Sequence, residues 1–156
     1  MDVKITVNPT MNRPDYIWTW ESCEAFLNTA EGLIATPINT ESGEEIAERI
    51  ADIIALYPAS ANVVASLKWY NESAYRSEFE RIAKYIKDGK ADAVTAPLQV
   101  PSILKEYIKS RTANEQAMLV RGERVNSMLT HAVEGLRSVL SKVKEDRKMS
   151  NYAQQV

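Results

Sequence analysis

The chain has 156 residues, 45% of them hydrophobic and 26% charged. This is the make-up of one folded domain, able to bury roughly two-thirds of its extended surface without metal or disulfide. Five Gly and six Pro against 18 Ala favour helices, because breakers are scarce and good helix formers abundant. The longest unbroken apolar run, Ile53 to Tyr57, is far shorter than a bilayer crossing, so no membrane partner is expected.

The lone Cys23 has no internal disulfide partner, and the opening MDVKITV lacks the basic-then-apolar layout of a secretory signal. A reducing, cytoplasmic setting is therefore expected. The net charge of −2 conceals an asymmetry: residues 1–65 carry 3 basic and 10 acidic groups, residues 66–156 carry 16 and 11. Such a division predicts a charge dipole.

In chain order, Val3, Ile5 and Val7 alternate with polar residues up to Asn8-Pro9, a period of two that suits a short extended arm over residues 1–13. A first helix is predicted from Pro14-Asp15 to about Ile34, burying Trp18, Phe26, Leu27 and Ala30 and limited by Gly32 and Pro37. Ser42 followed by Glu45 reads as a capping box opening a second helix. Its apolar stripe is Ile46, Ile50, Ile53 and Tyr57, its wet side Glu44, Glu48 and Asp52, and its stop Pro58.

The third helix is expected from Ser60 to Asp88, with Gly89 beyond its end. Arg76 with Glu80, Glu80 with Lys84, and Lys84 with Asp88 are spaced to pair along its surface. After a loop at 89–100, Pro101 suits the first turn of a fourth helix. Leu104, Ile108, Arg111, Glu115, Met118, Gly122, Val125, Leu129, Ala132, Leu136, Val139 and Val143 repeat at four and three, a heptad seam.

Unbroken to Lys148, that helix would be about 70 Å long against about 42 Å for the third, so one overhangs the other. Either the second helix, stacked on the third across Pro58, or another copy of the protein would cover the excess. Gly122 and Gly135 predict close helix approach or a bend. Taken together, residues 1–148 read as one all-α domain, an antiparallel helical bundle: arm 1–13, two helices within 14–58, a long hairpin at 60–148, then a flexible tail at 149–156.

Chemistry is sparse. Glu44-Glu45-Ile46-Ala47-Glu48 resembles the EExxE half of the MazG-like nucleotide pyrophosphohydrolases, which hold Mg²⁺ with carboxylates of two helices. The matching ExxD does not follow, since Glu72 precedes Tyr75, Glu78 precedes Arg81 and Glu80 precedes Ala83 by three. A capped, solvated helix face accounts for the five residues. His131 is the single histidine, so His-based metal sets are excluded; a half-buried place beside Glu134 is expected. Cys23, between Ser22 and Glu24, has no adjacent cation to activate it.

Arg121, Arg124, Arg137, Lys144 and Lys148 form a basic face on the last helix suited to sequence-independent phosphate contacts, the nucleic-acid alternative. Trp18, Trp20, Trp69 and Tyr70 have the chemistry to stack on bases, yet aromatics at helical spacing are more often core. The apolar seam residues Met118, Val125, Leu129, Leu136, Val139 and Val143 are expected to be core or a self-interface.

The segment Arg121 to Lys148, with Arg124, Leu129, Leu136, Arg137, Leu140, Ser141 and Lys144-Glu145 and with Tyr70-Asn71 and Phe79 upstream, resembles small helix-rich accessory proteins of tailed phages and prophages. That resemblance implies a phage-borne, non-catalytic protein in the host cytoplasm. The function expected is therefore a helical interaction or assembly protein without a cofactor. Its expected partners are a second copy and a phage or host protein. A nucleic-acid accessory role and small-ligand sequestration are the alternatives.

Overall fold

The computed structural model describes residues 13–89 and 96–156; the alternating segment at 1–12 lies outside them. Among the described residues the chain is all-α, without strands. The helices are α1 (Trp20–Ala35), α2 (Gly43–Ala55), α3 (Tyr57–Lys87), α4 (Pro101–Arg111) and α5 (Ala113–Gln154), with a 3₁₀ turn at Ala96–Gln99.

α1 starts six residues past Pro14 because Thr19, extended at φ −66° and ψ 156°, supplies the cap: its hydroxyl accepts from Ser22 N. Trp18 consequently precedes the helix and donates its amide to Ser66 Oγ at 3.0 Å. Gly32 does not stop α1; Thr36 closes it, donating its amide back to the Gly32 carbonyl. α2 opens at Ser42, whose hydroxyl accepts from Glu45 N at 3.3 Å, but the Glu45 carboxylate accepts from Asn39 N at 2.9 Å rather than from Ser42. The reciprocal half of the capping box has moved into the loop, so the same carboxylate ties the α1–α2 connection to the helix start.

Pro58 does not separate two helices as expected. The chain turns at Leu56, which keeps a helical φ of −84°, and α3 begins at Tyr57 with the proline in its first turn. A proline lacks only an amide that is unpaired there anyway, so α2 and α3 run on with a single-residue joint. Gly89, at φ +71°, follows the end of α3, a conformation that only glycine adopts without strain.

The last helix is not continuous. Thr112, buried at φ −108° and ψ 21°, divides α4 from α5 and donates its hydroxyl to the Ile108 carbonyl at 3.0 Å. The joint falls between Arg111 and Glu115, the two charged positions of the seam. Beyond Lys148, where a flexible tail is expected, helix continues to Gln154.

Contacts fix the direction of packing. A Cβ placed on Gly43 would lie 3.5 Å from Leu140, Ser60 Oγ donates to Asn126 Oδ1 at 2.8 Å, and Leu67 faces Gly122. Chain numbers rise along α2–α3 as they fall along α5, so the two run in opposite directions. Gly122 marks close approach, since a Cβ there would sit 2.7 Å from Leu67 Cδ1; Gly135 has nothing within 4 Å and is exposed. α2 and α3 together, 45 residues from Gly43 to Lys87, span about 67 Å at helical rise. This length covers most of α5, so α2 itself covers much of the predicted overhang.

α1 lies across this pair. Its start meets Ser66 and Tyr70, its last turns meet Arg49 and Arg121. Around it forms the main core of Cys23, Leu27, Ala30, Ile53, Val63, Leu67, Met118, Leu119, Val125, Leu129 and Val133. A second, smaller cluster of Ile82, Leu98 and Ile108, with Ile86, Leu104 and Tyr107 against it, joins the far half of α3 to α4.

One sequence expectation needs revision. The segment Gly43–Lys87 is long and apolar enough to cross a membrane by length and composition, although its longest unbroken apolar run is short. Its Ile53, Val63 and Leu67 are at most 1% exposed in the main core, which accounts for part of that apolar character by packing on α5.

Candidate functional site

The predicted seam divides along its length. Val125 and Leu129 are fully buried and Met118 nearly so; Leu136 packs against the main core from its edge, and Val139 and Val143 are half-buried where α5 passes the start of α2. From Met118 to Leu129 the apolar seam is spent inside the chain.

The basic residues of α5 separate in the same way. Arg121 is held by α1: its guanidinium donates through Nε and Nη2 to the two Glu31 carboxylate oxygens at 3.0 and 2.9 Å, and through Nη2 to Asn28 Oδ1 at 2.7 Å. The hydrogen bond from Arg121 holds the Glu31 carboxyl below its usual range. Arg121 therefore spends its planar donor fork on structure. Arg124, Arg137, Lys144 and Lys148 are exposed and make no ion pair among the described residues. Acidic α1 and α2 pack beside basic α5, so the predicted dipole is largely folded against itself.

The EExxE residues stay on the solvent side of α2. Glu44, Glu45 and Glu48 are exposed, and no group of three or more His, Cys, Asp or Glu among the described residues is placed to hold a metal ion. His131 is more exposed than expected, its Nδ1 3.3 Å from Glu134 Oε2. Cys23 is completely buried, and loss of solvent pushes its thiol up to about 11 even with Arg13 nearby. Such a thiol is protonated at neutral pH and unreachable.

The tryptophans pack on protein. Trp18 meets Phe26 edge-on at 6.1 Å, Trp20 meets Tyr70 at 5.5 Å and Trp69 meets Tyr70 at 5.1 Å. Tyr70 is itself buried and donates its hydroxyl to the Trp18 carbonyl at 3.0 Å. This cluster closes the start of α1 over α3.

Two concave regions lie among the described residues. One, about 500 Å³, lies between the α1–α2 loop, α2 and α5, lined by Ile34, Ile38, Arg49, Ile53, Ala132 and Leu136 among others. Arg49 Nη1 donates there to the Leu33 and Thr36 carbonyls at 2.6 and 2.7 Å, so its charge caps the end of α1. The other, about 490 Å³, runs along α3 beside Asn71, Glu72, Tyr75, Arg76 and Phe79. Tyr75 and Phe79 are 37% and 47% exposed, unusual for aromatics on a helix that is core one turn earlier.

The side-chain pairs predicted on this helix do not form: Arg76–Glu80, Glu80–Lys84 and Lys84–Asp88 are all beyond ion-pair distance. Glu78 takes the cations instead, Arg81 at 2.9 Å and Arg111 at 3.9 Å. Glu78 thus lies between α3 and the end of α4. By spacing, Tyr75 and Phe79 open an apolar stripe with Ile82 and Ile86 that slips by one position from Val63, Leu67, Tyr70 and Ala74; the pattern alone predicts a packed face, and the exposure of the two aromatics is set by tertiary packing. Comparison with protein-family models, curated proteins and solved structures finds no match to this chain.

Proposed function

We propose that this chain is a non-enzymatic helical interaction protein that associates with a second copy of itself. The observation that carries the reading is the distribution of large apolar side chains. Tyr75, Phe79 and Tyr85 on α3, with Val100 and Ile103 at the start of α4, are 37% to 47% exposed on the stretch where the core is thinnest. Concentrations of exposed apolar surface on a soluble chain mark interaction sites.

The non-catalytic part of the reading rests on how the reactive groups are used. Cys23 is sealed, Arg121 and Arg49 are tied to α1, and His131 lies at the surface beside Glu134. The resemblance to phage accessory proteins agrees with this reading. Light scattering over a concentration series tests it: mass should rise toward twice 17.5 kDa in the micromolar range, and a chain that stays monomeric to high micromolar refutes it.

A further inference from the structure

We infer that the self-contact is an isologous crossing of two α3 helices about a two-fold axis at Tyr75, in which Glu72 of each copy meets Arg76 of the other. The inference rests on the self-association reading and specifies its surface. Asn71, Tyr75 and Phe79 form one ridge at four-residue spacing, Glu72 and Arg76 the neighbouring ridge, and all five line the same groove. Ridges of this spacing interlock with those of a second helix at about 50°.

The patch is complementary to itself. Reversing a helix about Tyr75 brings Phe79 over Asn71, Tyr75 over Tyr75, and Arg76 close to Glu72. An isologous interface requires this reciprocity, because each off-axis contact between residues i and j recurs as a contact between j and i. Glu72 and Arg76 are both exposed, and neither makes an ion pair among the described residues. Opposite charges thus line one side of an exposed aromatic ridge, so that polar groups border an apolar anchor. An acidic or a basic partner would satisfy only one of the two charges, whereas a second copy satisfies both.

Charge exchange gives the test. Arg76→Glu and Glu72→Arg are each followed by sedimentation velocity, alone and as an equimolar mixture, with circular dichroism to confirm unchanged helicity. Each variant alone faces like charge twice, so its dissociation constant should rise about ten-fold or more over the parent chain. The mixture restores opposite charges at both pairs and should associate as a heterodimer. A parent chain that dimerises while neither variant weakens it, or a mixture no tighter than its components, overturns the α3 surface and leaves self-association standing. A parent chain monomeric to high micromolar overturns both. As a readout independent of charge, Tyr75→Cys should form an intermolecular disulfide on mild oxidation, since the axis passes through that position and Cys23 is buried; failure to cross-link in a proven dimer also counts against the surface.

Discussion

The two hydrophobic clusters differ in what surrounds them. The main core joins residues of α1, α2, α3 and α5, and nine of its members are at most 2% exposed: Cys23, Leu27, Ala30, Ile53, Val63, Leu67, Val125, Leu129 and Val133. The far cluster has only Ile82, Leu98 and Ile108, set between α3, the 3₁₀ turn and α4. α1 makes the difference. It meets α3 near Ser66 and Tyr70 and runs from there toward α2, so a third helix seals the first region but does not extend over the second. Two helices alone cannot enclose a wide apolar stripe, and Phe79 is left half in water.

Breaking the comparison at its centre should have the largest effect. Leu129→Ala, at a fully buried position, is expected to cost about 3 kcal/mol in urea-induced unfolding. Ile108→Ala is equally buried but sits in the small cluster; about 2 kcal/mol is expected. Hydrogen exchange should show its effect first as faster exchange of α4 amides, with α5 still protected. Uniform loss of protection would mean that the two regions unfold as one unit.

Glycine substitutions sharpen the contrast between the faces of α5. Gly122→Ala pushes a methyl against the fully buried Leu67 and should cost about 1 to 2 kcal/mol. Arg121→Ala removes the bridge between α5 and α1, a half-exposed pair expected to contribute about 1 kcal/mol at neutral pH. The Glu31 carboxyl is held low by Arg121, so this contribution is complete above the ordinary carboxylate range and fades as pH falls through the lowered folded value. The deficit of Arg121→Ala relative to the parent should therefore shrink in acid to what the Asn28 hydrogen bond and packing contribute. Gly135→Ala, with nothing within 4 Å of the new methyl, should stabilise α5 by about 0.5 to 1 kcal/mol in thermal unfolding.

Local signals were legible where they act through neighbouring residues. The Ser42 cap, the glycine after α3 and the Pro101 start all appear as read, because each depends on a few adjacent backbone groups. Pro58 misleads for the same reason in reverse: proline ends one helix or begins another with identical local chemistry, and only the helical Leu56 shows that both happen with a single residue between. The seam named one helix across what are α4 and α5, divided at Thr112, and its stretch from Met118 to Leu129 is buried, yet a heptad pattern is the same whether its partner is intrachain or foreign.

Helix class and the buried face of α5 are therefore properties of the amino-acid order, set by spacing and backbone preference within a few turns. Which surfaces stay wet was decided by long-range packing. Arg121 is structural because Glu31, ninety positions away, folds back to meet it. Phe79 is exposed because α1 runs from Tyr70 toward α2 and, among the described elements, leaves the far half of α3 to α4 and the 3₁₀ turn. Such pairings depend on how the helices are laid across one another, and no periodicity along a single helix encodes that placement.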